Sequence, residues 1–86
     1  MITDVYIVYN DDKQLDKLGD TKVSPFFHLI DERTYKGRKE GFKLKGSLSA
    51  RLTPFIVCKE RDKVVKAFYS ETKEDVFQQL INYLNL

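Results

Sequence analysis

Apolar residues along this chain fall into four short runs and one longer periodic stripe. Val5-Tyr6-Ile7-Val8-Tyr9 is β-branched or aromatic at every position, which predicts a buried strand. Asn10-Asp11-Asp12 ends it, because these side chains bond to their own backbone in turns. Asp11 to Leu18 is expected to make two helical turns, with Leu15 and Leu18 three apart on one face and Gly19 as the stop. Pro25-Phe26-Phe27-His28-Leu29-Ile30 predicts a second strand, closed by Asp31-Glu32. A polar stretch with Gly37, Gly41 and Gly46 follows. In it Phe42, Leu44 and Leu48 are expected to make core contacts from a helix or an irregular coil, the glycines weighing against a regular helix. Phe55-Ile56-Val57-Cys58 is the most apolar strand, Glu60-Arg61-Asp62-Lys63 the turn of a hairpin, and Val64 to Tyr69 its returning arm. Thr72-Lys73-Glu74-Asp75 has the form of a capping box with Asp in place of Glu or Gln. Val76, Phe77, Leu80, Ile81 and Leu84 then recur at helical spacing and give one apolar face.

The element order is therefore β, helix, β, helix or coil, β, β, helix. The early strands are separated by crossovers, which favours parallel pairing, whereas the last two form a tight antiparallel hairpin. This is an α/β arrangement: a small mixed sheet of about four strands with helices packed on its faces. Residues 54–58 are expected to be a central strand paired with 64–69, and residues 73–84 to pack on the sheet. The 86 residues make one domain, 1–86.

Composition narrows the function classes. No apolar run approaches the ~20 residues of a membrane span, and the first residues lack a basic leader, so no membrane association and no signal peptide are expected. Cys58 is the single cysteine, which precludes an internal disulfide, and one Cys with one His cannot build an ordinary structural zinc site. A cytoplasmic location is the expectation, with no cofactor and no metal. Net charge is only +2, yet it is uneven. Lys36, Arg38, Lys39, Lys43, Lys45 and Arg51 stand against the lone acid Glu40, while five Asp between Asp4 and Asp20 stand against two Lys. Solvated faces account for such runs most simply. The functional alternative is a basic patch for nucleic acid or an acidic partner.

Individual residues carry little catalytic signal. Asp11 and Asp12 at a helix start serve as caps, and two carboxylates without a third ligand do not make a cation site. His28 has no nucleophile and orienting acid marked around it, so a structural or half-exposed role is expected. Cys58, inside the most apolar strand, is expected to be a buried inert thiol. Tyr35, Phe42 and Phe26 lie near the basic segment. Without an accompanying nucleic-acid motif, core packing is the expected role of the phenylalanines.

Pro54 is the most informative single residue. Proline lacks an N–H and is tolerated in a sheet at the first residue of a strand, which is where it precedes Phe55. From Ala50 to Leu86 the chain resembles the C-terminal half of the thioredoxin-like fold. Arg51-Leu52-Thr53-Pro54-Phe55-Ile56 stands where that family carries an R-G-x-P-T or G-T-P-T segment, with a hairpin and a terminal helix after it. The first half fits by order and length of elements only. The resemblance implies a cis Thr53–Pro54 bond and a backbone at Thr53 turned outward to pair with an extended peptide or glutathione. The family's dithiol does not carry over, because the position after the first strand holds Asn10-Asp11-Asp12-Lys13.

The leading expectation is thus a non-enzymatic protein- or peptide-interaction module on a thioredoxin-like scaffold, using Thr53, Pro54, Asn10, Asp11 and Asp12. Small proteins of phages or mobile elements are one setting for such a stripped-down domain. The alternative is a nucleic-acid-associated protein using Lys36, Arg38, Lys39, Lys43, Lys45 and Arg51. A thiol- or glutathione-linked enzyme built on Cys58 ranks third.

Overall fold

The computed structural model describes residues 1–45, 53–69 and 75–85, with the backbone alone at 21–23 and 45. Leu48, Arg51 and the first three residues of the expected capping box lie outside them. Four strands, β1 (Asp4–Tyr9), β2 (Phe27–Asp31), β3 (Phe55–Glu60) and β4 (Lys63–Tyr69), form one sheet in the order β2-β1-β3-β4. β1 and β2 run parallel, with Val5 opposite Phe27 and Tyr9 opposite Asp31. β3 is antiparallel to β1, with Val8 opposite Phe55, and β4 is antiparallel to β3. The chain is an α/β fold with a mixed sheet. No helix among the described residues is long and apolar enough to cross a membrane.

Helical segments cover both faces, which explains the unbroken apolar runs of the inner strands. On one face Val5, Ile7, Ile56, Cys58 and Phe68 pack with Leu15 and Leu18 and with Val76, Phe77 and Leu80 of α2 (Val76–Leu84). On the other, Val8, Ile30, Phe55 and Val57 form a smaller core, with Leu44 of α1 (Tyr35–Lys45) against it. Val5, Ile7, Val8, Phe55, Ile56 and Val57 are completely buried as a result. β1 and β3 are the central strands, and β2 and β4 the edges.

Several local expectations need correction. Asp12–Val23 is a 3-10 segment rather than two α-turns over 11–18, and Gly19 breaks it instead of ending it. Its φ of 54° and ψ of −137° are open to glycine and costly for other residues. In 3-10 geometry residues three apart eclipse one another, so Leu15 and Leu18 still share a face. The stretch after Arg33 is a regular helix despite its glycines. Gly37, Gly41 and Leu44 fall on one side of α1, toward the sheet; a methyl on Gly41 would lie 3.3 Å from Val8 Cγ1. The glycines let the helix sit close to the strands, and this packing outweighs their poor helix propensity. Phe42 consequently points away from the sheet. It is 76% exposed, contrary to the core role expected of it. The hairpin turn shortens to Arg61 and Asp62, both left-handed (φ 49° and 70°), while Glu60 and Lys63 pair within the ladder. α2 begins at Val76, with Asp75 as its N-cap, accepting from the Phe77 and Gln78 amides. Lys17 Nζ reaches the same carboxylate at 2.9 Å and ties the 3-10 segment to α2.

Candidate functional site at the carboxyl ends of β1 and β2

β1 and β2, being parallel, end on the same side of the sheet, and β3 starts there. In open α/β sheets this edge is where ligands are usually held. The local sequence after β1 forms a reciprocal cap. Asp11 Oδ1 accepts from the Lys13 amide at 3.0 Å, while Gln14 Oε1 accepts from the Asn10 and Asp11 amides and Gln14 Nε2 donates to Asn10 Oδ1. Asn10 and Asp11 therefore already hold the turn, and the capping role expected for Asp11 is the one observed. Asp12 points elsewhere, accepting from Arg33 Nη2 at 2.7 Å.

Arg33 organises this edge. Its Nε and Nη2 donate to the two oxygens of Asp31 at 2.9 and 3.0 Å, a bidentate fork, and its backbone amide donates to Asp31 Oδ1 at 2.9 Å. The guanidinium lies 6.0 Å from the centre of the Tyr9 ring. These bonds from Arg33 lower the Asp31 pKa below the ordinary carboxylate value. With two carboxylates already on it, the cation is a brace between β2 and the 3-10 segment. Beside it, Glu32 donates its amide to the Tyr9 carbonyl and accepts from the Thr53 hydroxyl. The Thr53–Pro54 bond is cis. The β1–β3 ladder ends at the Val8–Phe55 pair, so Thr53 and Pro54 stand beyond it, half-buried. The structure thus brings Asp12 to Arg33 and Thr53 to Glu32, and uses Asn10 and Asp11 locally. Arg33 and Glu32, to which the sequence pattern assigns no role, are the links. The run Asp31-Glu32-Arg33 just past a strand was the available signal.

Two further groups lie elsewhere. His28 Nε2 is 2.8 Å from Asp4 Oδ1, and its ring stacks on Tyr6 with centroids 4.5 Å apart, as the pairing of Tyr6 with His28 across β1 and β2 requires. The hydrogen bond from His28 holds Asp4 below its ordinary pKa. The hydroxyl that reaches this pair, Thr3 Oγ1, donates to Asp4 rather than to the imidazole, so the order is wrong for activating a nucleophile. Cys58 is fully buried, and desolvation raises its pKa to about 11. At neutral pH it is a protonated core thiol. Among the described residues no three His, Cys, Asp or Glu side chains gather as a metal site, and no buried side-chain polar atom lacks a partner.

The basic segment resolves into a helix face. Tyr35, Arg38, Lys39, Phe42 and Lys43 line one shallow groove on the outside of α1. Lys36 is exposed on the same helix, Lys45 ends it, and Arg51 lies outside the described residues. Comparison with family models, with curated proteins and with solved structures finds no match.

Proposed function

We propose that this chain is a non-enzymatic interaction module on a thioredoxin-like scaffold, holding an extended segment of a partner protein against Thr53 and Pro54. The observation that carries the reading is the placement of these two residues. They open β3 outside its ladder, at the edge where β1 and β2 both end. An arriving strand would meet the Thr53 backbone there and gain main-chain hydrogen bonds without displacing an existing strand. The order of elements also supports the scaffold: Thr53-Pro54 is followed by a tight hairpin and a closing helix packed on the sheet.

The same edge favours binding over chemistry. The turn after β1 offers amide and carboxylate groups engaged with one another, and the cation beside it is neutralised by Asp12 and Asp31. Cys58, the one thiol, is buried within the strand rather than presented at its end.

A peptide array probed with the full chain, followed by NMR titration of the isotopically labelled protein with the strongest binder, tests this. Amide shifts should concentrate at Thr53, Asn10, Asp11, Glu32 and Arg33. Shifts confined to α1 or α2, or an array without binders, would refute the reading.

A further inference from the structure

The outer face of α1 carries an arrangement that neither the core nor the Thr53 edge uses. Tyr35 and Phe42 are 71% and 76% exposed, and both lie on the side of the helix away from Gly37 and Gly41. Seven residues, or two turns, separate them, so the rings are about 10 Å apart along the axis. Arg38, Lys39 and Lys43 lie between and beside them and line the same groove. Lys39 Nζ rests 5.3 Å from the centre of the Tyr35 ring. Among the described residues no carboxylate forms an ion pair with Arg38, Lys39 or Lys43. Over 35–45 the helix holds five cations against Glu40 alone.

A single exposed aromatic residue is ordinary on a protein surface. Two on one stripe, interleaved with three cations that no carboxylate of the described residues pairs, call for a ligand that has flat apolar faces and a repeating negative charge. We propose that this face of α1 binds single-stranded nucleic acid, with bases stacking on Tyr35 and Phe42 and phosphates meeting Arg38, Lys39 and Lys43. Other occupants match less of the surface. An acidic peptide would satisfy the cations and leave the rings unused. A membrane-surface helix needs a broad apolar face, and among the described residues only Tyr35 and Phe42 supply apolar side chains to this groove. Duplex bases are stacked on each other and give the rings nothing to cover. This site is separate from the Thr53 edge and stands or falls independently of it.

Fluorescence anisotropy with labelled oligo-dT, oligo-rU and a hairpin duplex, at low and moderate salt, tests the assignment. Anionic phosphatidylserine vesicles serve as the competing surface. One or both single strands should bind more tightly than the duplex. Phe42→Ala and Tyr35→Ala should each weaken that binding about 5-fold or more. Arg38→Gln and Lys39→Gln should each flatten the dependence of log K on log salt by ~0.7 for every phosphate that the variant no longer neutralises. Lys63→Gln, on β4, should leave binding unchanged. All these side chains are exposed, so circular dichroism should report a native fold in every variant. Absence of single-strand binding at low salt would overturn the proposal. So would parental affinity in the Tyr35→Ala, Phe42→Ala double variant, a preference for duplex, or binding to vesicles in place of either strand.

Discussion

Gly37 and Gly41 look alike in sequence, and the structure predicts opposite fates for them. A methyl placed on Gly37 would lie 1.8 Å from the Asp31 carbonyl oxygen and 2.6 Å from its carbon. An ordinary carbon–oxygen contact is about 3.3 Å, so the first turn of α1 would have to retreat from β2 by roughly 1.5 Å. That movement breaks two bonds that dock the helix, the Thr34 amide and hydroxyl to the Asp31 carbonyl at 3.1 and 2.9 Å, and the clash is with backbone, which cannot swing aside as a side chain can. Two bonds at ~1 kcal/mol each and ~1 kcal/mol of overpacking strain total about 3 kcal/mol, against a gain in helix propensity of at most ~1 kcal/mol. Gly37→Ala should therefore lose about 2 kcal/mol, or on the order of 10 °C in Tm for a domain of this size. At Gly41 the new methyl would meet Val8 Cγ1 at 3.3 Å, a side-chain atom able to yield by a few tenths of an ångström. Propensity and crowding nearly cancel there, and Gly41→Ala should stay within about 1 kcal/mol of the parent. Urea unfolding followed by far-UV circular dichroism reads both values. If the two substitutions stabilise the protein equally, by the ~1 kcal/mol expected of a solvent-exposed helix, α1 does not sit against β2 as described.

Other outcomes follow from individual contacts. Asp75→Ala removes the α2 cap and the Lys17 partner, and should cost about 1 kcal/mol, or 4–8 °C in a thermal melt; an unchanged Tm would contradict the cap. The hydrogen bonds from Lys17 and the α2 amides depress the Asp75 pKa, so its contribution is full above its ordinary carboxylate range and drains as pH falls through the depressed value. The acid limb of the stability curve should accordingly be shallower in Asp75→Ala than in the parent. Cys58 should resist a thiol-reactive dye at neutral pH until urea unfolds the chain; rapid labelling of the native protein would disprove its burial. Replacing the turn by Arg61→Asn with Asp62→Gly should raise stability by about 1 kcal/mol, since both positions are left-handed, and a loss in urea unfolding would show the turn to be otherwise.

The strands were legible because each is a run of β-branched and aromatic residues, and burial of β1 and β3 on both faces produces such runs. α2 was legible from Val76, Phe77 and Leu80, whose spacing matches one buried stripe; its start was placed early because the capping-box pattern puts the cap at Thr72, whereas its last residue, Asp75, caps the helix. α1 was the difficult element. Its sheet-facing stripe reads Gly37, Gly41, Leu44, and only one of these looks like core in a sequence. The same inversion hid Phe42, an apolar residue whose direction depends on which side of the helix the sheet takes. At the candidate site, Thr53 and Pro54 were visible through local backbone chemistry. The bonds from Arg33 to Asp12 and from Thr53 to Glu32 each join residues 21 positions apart in the chain, so strand pairing must be known before they can be seen. The Tyr6–His28 stack and the Asp4–His28 pair depend on the parallel register of β1 and β2 in the same way.

β4 leaves one long side of the sheet open, with Val64 and Val65 each more than 40% exposed on it. A bare, flat, apolar strand edge is a template on which a second chain can crystallise its own backbone, and from there a fibre can grow. Here the two valines are bracketed by Lys63 and Lys66, and the ladder behind them slips register between Cys58 and Lys59. An identical edge approaching head-on would bring ammonium against ammonium along a strand that is no longer straight. Those two lysines and one irregularity guard this edge at high protein concentration, and neutralising both charges should turn β4 into a point where precipitation begins.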